Sequence, residues 1–206
     1  MGLEYPVRIP KNVSVELCRF LGIMHGDGNM SSSRILITDE CLRYHTSVLH
    51  PLFEELFGIK LNLYHDKNRN SYYSHVKSKK IYEFLVSTLK INRGAVRGNL
   101  MLPSFIYRVP NSFKSEYIAG LYDSESYVSK RQAEIEFSIT SEKIYKFILN
   151  FLIKNNIKHS KRIRDRRKKK DYTIHIYGKQ NINNFLNIVK IKHPEKVARA
   201  NKFLAH

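Results

Sequence analysis

The sequence predicts an α+β protein made of two copies of one unit, each running helix, strands, helix, strands, helix. Three observations predict it. Segments of the 206-residue chain recur in the same order about 98 positions apart. Within each copy the apolar spacing switches between the helical period and the two-residue alternation of strands. A stretch holding Gly94, Gly98, Pro103 and Pro110 separates the copies, as a linker should. The expected division is a first repeat over 1–91, a linker over 92–113 and a second repeat over 114–206.

The repeat is read from four correspondences. Phe20-Leu21-Gly22-Ile23-Met24-His25-Gly26-Asp27-Gly28 lines up with Ile118-Ala119-Gly120-Leu121-Tyr122-Asp123-Ser124-Glu125-Ser126. Ile35-Leu36-Ile37-Thr38 answers Phe137-Ser138-Ile139-Thr140, and Gly58-Ile59-Lys60 answers Asn156-Ile157-Lys158. Phe84-Leu85 with Lys90-Ile91 answers Phe185-Leu186 with Lys190-Ile191.

In the first copy the spacing predicts a helix from Val13 to Gly26 with Ser14 as its cap. A short strand follows over Arg34 to Thr38. A helix over Leu42 to Phe57 ends at Gly58, where a residue without Cβ permits a left-handed stop. Lys60 to His65 alternates as a strand, Asp66 to Ser71 turns, Tyr72 to Lys77 forms the next strand and Ile81 to Leu89 a helix. The second copy gives a helix over Ser115 to Ser124 and a strand over Ala133 to Thr140. In that strand Ile135, Phe137 and Ile139 share one face, and Glu134, Glu136 and Ser138 the other. A helix over Ser141 to Asn155 precedes a hairpin of Lys158 to Arg167 and Asp171 to Tyr177, joined through Lys168-Lys169-Lys170. His193-Pro194-Glu195-Lys196 opens a last helix that anchors the C-terminus.

Charge narrows the function. Thirty-six basic residues face 18 acidic ones, a net charge of +18. A globule that basic repels itself unless a polyanion compensates, and nucleic acid is the expected partner. The excess is uneven, with 15 basic against 9 acidic residues through position 110 and 21 against 9 beyond it. No segment nears the ~20 apolar residues of a membrane span. No targeting segment is evident at Met1 to Lys11, so an intracellular location is expected, the cytoplasm of a prokaryote or the organelle that encodes the protein. Cys18 and Cys41 sit in apolar segments and read as small core residues in a reducing compartment, without metal-ligand spacing.

The candidate chemistry lies in the two repeated helices. Gly22 and Gly26, and Gly120 and Ser124, put two small residues on one helical face. Glycine within a helix costs about 1 kcal/mol relative to alanine, so its repetition needs a reason. Close approach of the two helices is that reason. An acid follows each second small residue: Asp27 and Glu125. Packed side by side, the helices would bring two carboxylates together, where they repel or hold a divalent cation. Hard oxygen donors suit Mg²⁺ or Mn²⁺, and a metal between carboxylates beside a basic surface suits phosphodiester hydrolysis.

Both segments resemble the LAGLIDADG motif of homing endonucleases, and through the repeat the resemblance covers nearly the whole chain. It implies two αββαββα units in one chain, motif helices at the interface, and antiparallel sheets forming a saddle over duplex DNA. It implies that Asp27 and Glu125 are catalytic metal ligands, joined by the backbone carbonyls of Gly26 and Ser124. The function expected is a monomeric, intron-encoded, site-specific nuclease making a double-strand break. The alternatives on the same fold are an intron RNA maturase and a catalytically inactive DNA-binding protein. His25 stands where the motif has its first Asp, and Ser126 where it ends in Gly. His25 and Asp123 hold matching positions and read as structural groups. Where many relatives place a Lys or Gln that assists water, this chain has Asp39-Glu40 and Ser141-Glu142, which leaves Lys130 as the candidate. The ends Met1-Gly2 and Leu204-Ala205-His206 favour a freestanding or intron-encoded product over an intein.

Alternation supplies the DNA-facing candidates. Lys158, Ser160, Arg162, Arg164 and Arg166 share one strand face, the geometry of a ribbon entering a major groove. In the first copy Lys60, Asn62 and Tyr64 share a face, as do Tyr73, His75 and Lys77, with either face free to point outward.

Overall fold

The computed structural model describes residues 6–91, 100–129, 131–166 and 169–205. Helix α1 (Val15–Gly26) starts where expected, because Ser14 Oγ accepts the Leu17 amide at 3.2 Å. Strands β1 (Gly28–Ser31) and β2 (Arg34–Asp39) follow. The next helical stretch is α2 (Leu42–Tyr44), a π-turn (His45–Leu49) and α3 (His50–Phe57), closed by Gly58 at φ +69°. The wider π-turn sets His45 and His50 on one hydroxyl, with ring nitrogens 2.7 and 3.0 Å from Ser74 Oγ. Strands β3 (Asn62–Asp66) and β4 (Ser71–Lys77) and helix α4 (Lys79–Ser87) complete the first series.

The second series begins with α6 (Asn111–Glu125), preceded by the short α5 (Phe105–Arg108). Both fall partly or wholly in the stretch expected to be linker, whose residues 92–99 lie outside the described residues. Helix α6 starts four residues earlier than its apolar pattern announced, directly after Pro110, a residue that fits the edge of a helix and not its interior. Strands β5 (Ser126–Val128) and β6 (Glu134–Ile139), helix α7 (Glu142–Lys154), strands β7 (Ser160–Arg166) and β8 (Lys169–Tyr177) and helix α8 (Lys179–Ile188) repeat the order. Lys169 and Lys170, expected in the connection, belong to β8. Helix α9 (Pro194–Leu204) is capped by His193.

The result is α+β, with two four-stranded antiparallel sheets of like order, β1-β2-β4-β3 and β5-β6-β8-β7. Ile35 and Ile37 in one sheet, and Ile135 and Phe137 in the other, turn into the core. Register corrects one correspondence. Gly28 pairs with Ile37 and Ser126 with Phe137, so Ile35-Leu36-Ile37-Thr38 matches Ile135-Glu136-Phe137-Ser138. The sequence reading was two residues out. A strand's side chains alternate with period two, so such a slip leaves every apolar residue on the same face and the pattern cannot detect it. Among the described residues no helix is long and apolar enough to cross a membrane.

Candidate functional site

Helices α1 and α6 touch through their backbones. A Cβ placed on Gly22 would lie 2.1 Å from the Tyr117 carbonyl oxygen, and one on Gly120 would lie 2.1 Å from that of Arg19. At the far end a Cβ on Gly26 would meet Ser124 Oγ at 2.0 Å and Glu125 Cγ at 3.0 Å. The small-residue face therefore does what its spacing requires, and the ends of the two helices abut. Asp27 is the C-cap of α1 and Glu125 the last residue of α6.

The two acids open to different spaces. Asp27 lines a cavity of about 500 Å³ with Thr38, Asp39, Ser124, His193 and Lys196. Glu125 lines one of about 250 Å³ with His25, Ser138, Ser141 and Asp171. Thr38 and Ser138 hold equivalent places by register, so the cavities are related as the units are.

Lys196, from the first turn of α9, reaches this seam. Its Nζ donates to the carbonyls of Tyr122 (3.0 Å), Asp123 (2.7 Å) and Ser124 (3.1 Å), neutralising the negative end of α6. Burial lowers its pKa, while the charges of Asp27, Asp123, Asp39 and Glu125 pull the other way. Asp39 accepts the Cys41 amide (2.6 Å) and His193 Nε2 (3.3 Å). Burial raises its pKa, but these hydrogen bonds and the nearby charges outweigh burial and hold it below the usual value. Asp39, Cys41 and His193 present donor atoms within 4.8 Å of one another. They do not form a convincing ion site, because His193 Nδ1 already accepts the Lys196 amide (3.4 Å) and its proton then sits on Nε2, toward Asp39.

Each sheet turns a polar face away from the core. On the first, Asn62 pairs with His75 and Tyr64 with Tyr73, with Arg34 opposite Lys77 at the edge. The Tyr64 ring stacks on Tyr73 at 5.5 Å and on His75 at 5.1 Å. On the second, Ser160, Arg162 and Arg164 of β7 pair with His175, Thr173 and Asp171.

The sequence profile of the LAGLIDADG-like domain matches residues 112–190, from the start of α6 through α8. The family likeness thus lies in the second half of the chain. Its two-unit architecture matches the homing endonuclease I-DmoI. A structure of mesophilic I-DmoI variants covers 91% of this chain and 98% of its own, with a TM-score of 0.64 at 19% identity. I-DmoI in complex with DNA and Mn covers 88% and 99%, with a TM-score of 0.62 at 19% identity. The fold also matches full-length DUF199/WhiA from Thermatoga maritima, with a TM-score of 0.62 at 13% identity over 95% of this chain and 63% of that one. At such identities the likeness is one of fold. Among curated proteins, part of a probable translation initiation factor IF-2 from Methanocaldococcus jannaschii is 29% identical over 204 residues. That is 94% of this chain but 17% of the factor. A glutamine–fructose-6-phosphate aminotransferase of the same organism is 26% identical over 155 residues, 74% of this chain and 14% of its own length. The chain thus spans less than a fifth of these relatives.

Lys60, Asn62, Tyr64 and Lys77 are exposed, and Lys60 and Lys77 also line a cavity of about 780 Å³ with Lys79 and Lys80. Lys158 is exposed but precedes β7, its amide held by Asn181 Oδ1 at 3.0 Å. Arg162 and Arg164 are exposed on β7, and Arg166 ends that strand opposite Lys169. Lys130 lies outside the described residues. His25 and Asp123 are buried. His25 Nδ1 meets the Tyr117 hydroxyl at 2.9 Å, and burial lowers its pKa to about 4. Asp123 binds Arg19 Nη1 (2.9 Å) and accepts the Lys192 and His193 amides (both 3.0 Å). The sequence reading gave Lys196 only a place in the opening of the last helix, as part of an anchor. Its one signal is a lysine in the first turn of a helix, where a cation opposes the dipole and needs an outside partner.

Proposed function

We propose that this chain is a LAGLIDADG homing endonuclease that binds a long, non-palindromic duplex and hydrolyses one phosphodiester in each strand with a divalent metal. The observation that carries the reading is the abutment of α1 and α6, which sets Asp27 and Glu125 at one seam, each opening on its own cavity. The donor set fits a hard cation, because it consists of carboxylates and helix-terminal carbonyls.

In this reading Asp27 and Glu125 hold Mg²⁺ or Mn²⁺ with the carbonyls of Gly26 and Ser124. When bound, such an ion polarises the phosphate, lowers the pKa of water and stabilises the leaving oxygen. Lys196 lines the Asp27 cavity and feels the charges of both acids, and burial lowers its pKa. In this reading Asn62, Tyr64 and Lys77 on one sheet with Lys60 just before β3, and Arg162, Arg164 and Arg166 on the other with Lys158 just before β7, meet phosphates and base edges; Lys130 stays a candidate on the sequence alone. One chain supplies both acids and both sheets, so a monomer suffices. Related stretches within an initiation factor and an aminotransferase support a unit that moves between unrelated genes; an intracellular, intron-encoded product is part of this reading.

A second reading, a DNA-binding protein of the WhiA-like fold that never cuts, draws on the Lys196 ammonium standing at a carbonyl the metal would use. A plasmid library with random inserts, incubated with Mg²⁺, separates the two. Linear product from the wild type, lost in Asp27→Asn and Glu125→Gln with duplex binding kept, supports the nuclease. Retention of duplex without any cut product refutes it, and cutting unchanged in either variant refutes the metal-ligand assignment. Preferential capture of intron RNA over duplex would instead mark a maturase.

A further inference from the structure

Strands β2 and β6 hold the same place in their sheets, and their registers fix which positions correspond. Arg34 corresponds to Glu134 and Leu36 to Glu136, since Gly28 and Ser126 directly follow the two seam acids and pair with Ile37 and Phe137. Across the next ladder Arg34 faces Lys77, while Glu134 faces Tyr177. One row inward, Leu36 faces His75 and Glu136 faces His175. The same patch of the fold thus holds a cationic pair in one unit and two carboxylates in the other, around a histidine present in both.

The environments of the two histidines follow the inversion. His75 has its pKa lowered, by burial and then by the Arg34 charge. His175 Nδ1 lies 2.7 Å from Glu134 Oε1 and 3.8 Å from Glu136 Oε2. Gln132 Nε2 donates to the second Glu134 oxygen at 2.5 Å, fixing the carboxylate from its other side. Among the described residues no lysine or arginine pairs with Glu134 or Glu136, although the protein is strongly basic and Arg162 stands two strands away from Glu136 on the same face.

Carboxylates facing a phosphate would be repelled. Facing a major groove they have a natural complement, since an ionised carboxylate only accepts hydrogen bonds and the groove's donors are the cytosine N4 and adenine N6 amines. Arginine and lysine prefer the guanine O6 and N7 acceptors. We propose that Glu134 and Glu136 read a cytosine in one half of the target, at the position equivalent to a guanine read by Arg34 and Lys77 in the other half. This rests on the reading that the two polar faces meet duplex DNA. It makes this patch a source of the target's asymmetry.

The test is enrichment of bound duplexes from a randomised library by the full-length protein. The wild type should enrich a site with a cytosine at one position of one half. The double variant Glu134→Arg with Tyr177→Lys copies the Arg34–Lys77 pair and should change that base to guanine while the other half stays as it was. The isosteric Glu134→Gln and Glu136→Gln, which disturb folding least, should cut discrimination at that position by about tenfold or more. A specific site enriched identically by the wild type and all variants overturns the inference and leaves DNA binding intact. Failure of the wild type to enrich any duplex overturns the DNA reading itself, and the inference falls with it.

Discussion

At Gly22 and Gly120 an added methyl would sit 2.1 Å from a carbonyl oxygen of the facing helix, and backbone cannot swing aside as a side-chain tip can. Gly120→Ala should therefore lower stability by about 3 kcal/mol, the upper end of ordinary overpacking, read as an earlier denaturant midpoint with an unchanged slope. This requirement was legible, because two small residues four apart recur next to an acid in both copies. His25 was legible only as a departure from the motif. Its folded pKa of about 4 lies below the ordinary 6.5, so the unfolded chain takes up the proton first. Its contribution is full above pH 6.5 and is lost as pH falls through 4, roughly 3 kcal/mol over that window. His25→Gln should flatten the stability profile between those two pH values; an unaltered profile would mean the ring is not a neutral buried group. Lys196 was not legible in this sense, since what it does depends on where α9 docks, and nothing local in the sequence encodes that contact.

Helices and strands were easier to place than to pair. The caps Ser14 and Gly58 announced two helix ends, but β1 and β5, four and three residues long, are too short to show an alternation. The two-residue slip between the copies arose from the same weakness, and only pairing with those short strands resolved it. The π-turn at His45–Leu49 was not read from the apolar spacing either. Between elements, Arg19 ties three segments together. Its guanidinium reaches Glu116 (2.7 Å), Asp123 (2.9 Å) and the Lys190 carbonyl (2.5 Å), joining α1, α6 and the segment after α8. Arg19→Met would strand the Asp123 carboxylate in the core and should cost about 3–5 kcal/mol. Thermal unfolding checks this, and a shift of only a few degrees would show that Lys196 and the backbone amides alone can hold that charge.

For the whole molecule, duplication and charge were the features the sequence displayed most openly; duplication set the fold class and charge the expected partner before any contact was known. The +18 charge has a consequence in solution: duplex binding should weaken by about a thousandfold or more between 50 and 200 mM salt, the loss expected when six or more phosphates are neutralised. A shallow salt dependence, measured by fluorescence anisotropy, would argue against two basic sheets lying on one duplex. The sequence could propose that two carboxylates meet; it could not show that they would open on separate cavities or that a lysine would bind the carbonyls at the end of α6. Titration of Mn²⁺ into the intact protein, followed by the loss of its free-ion electron spin resonance signal, tests the metal claim most directly. The wild type should take up the ion, and Asp27→Asn and Glu125→Gln should each weaken uptake by about tenfold or more. Equal uptake by all three proteins would contradict the account.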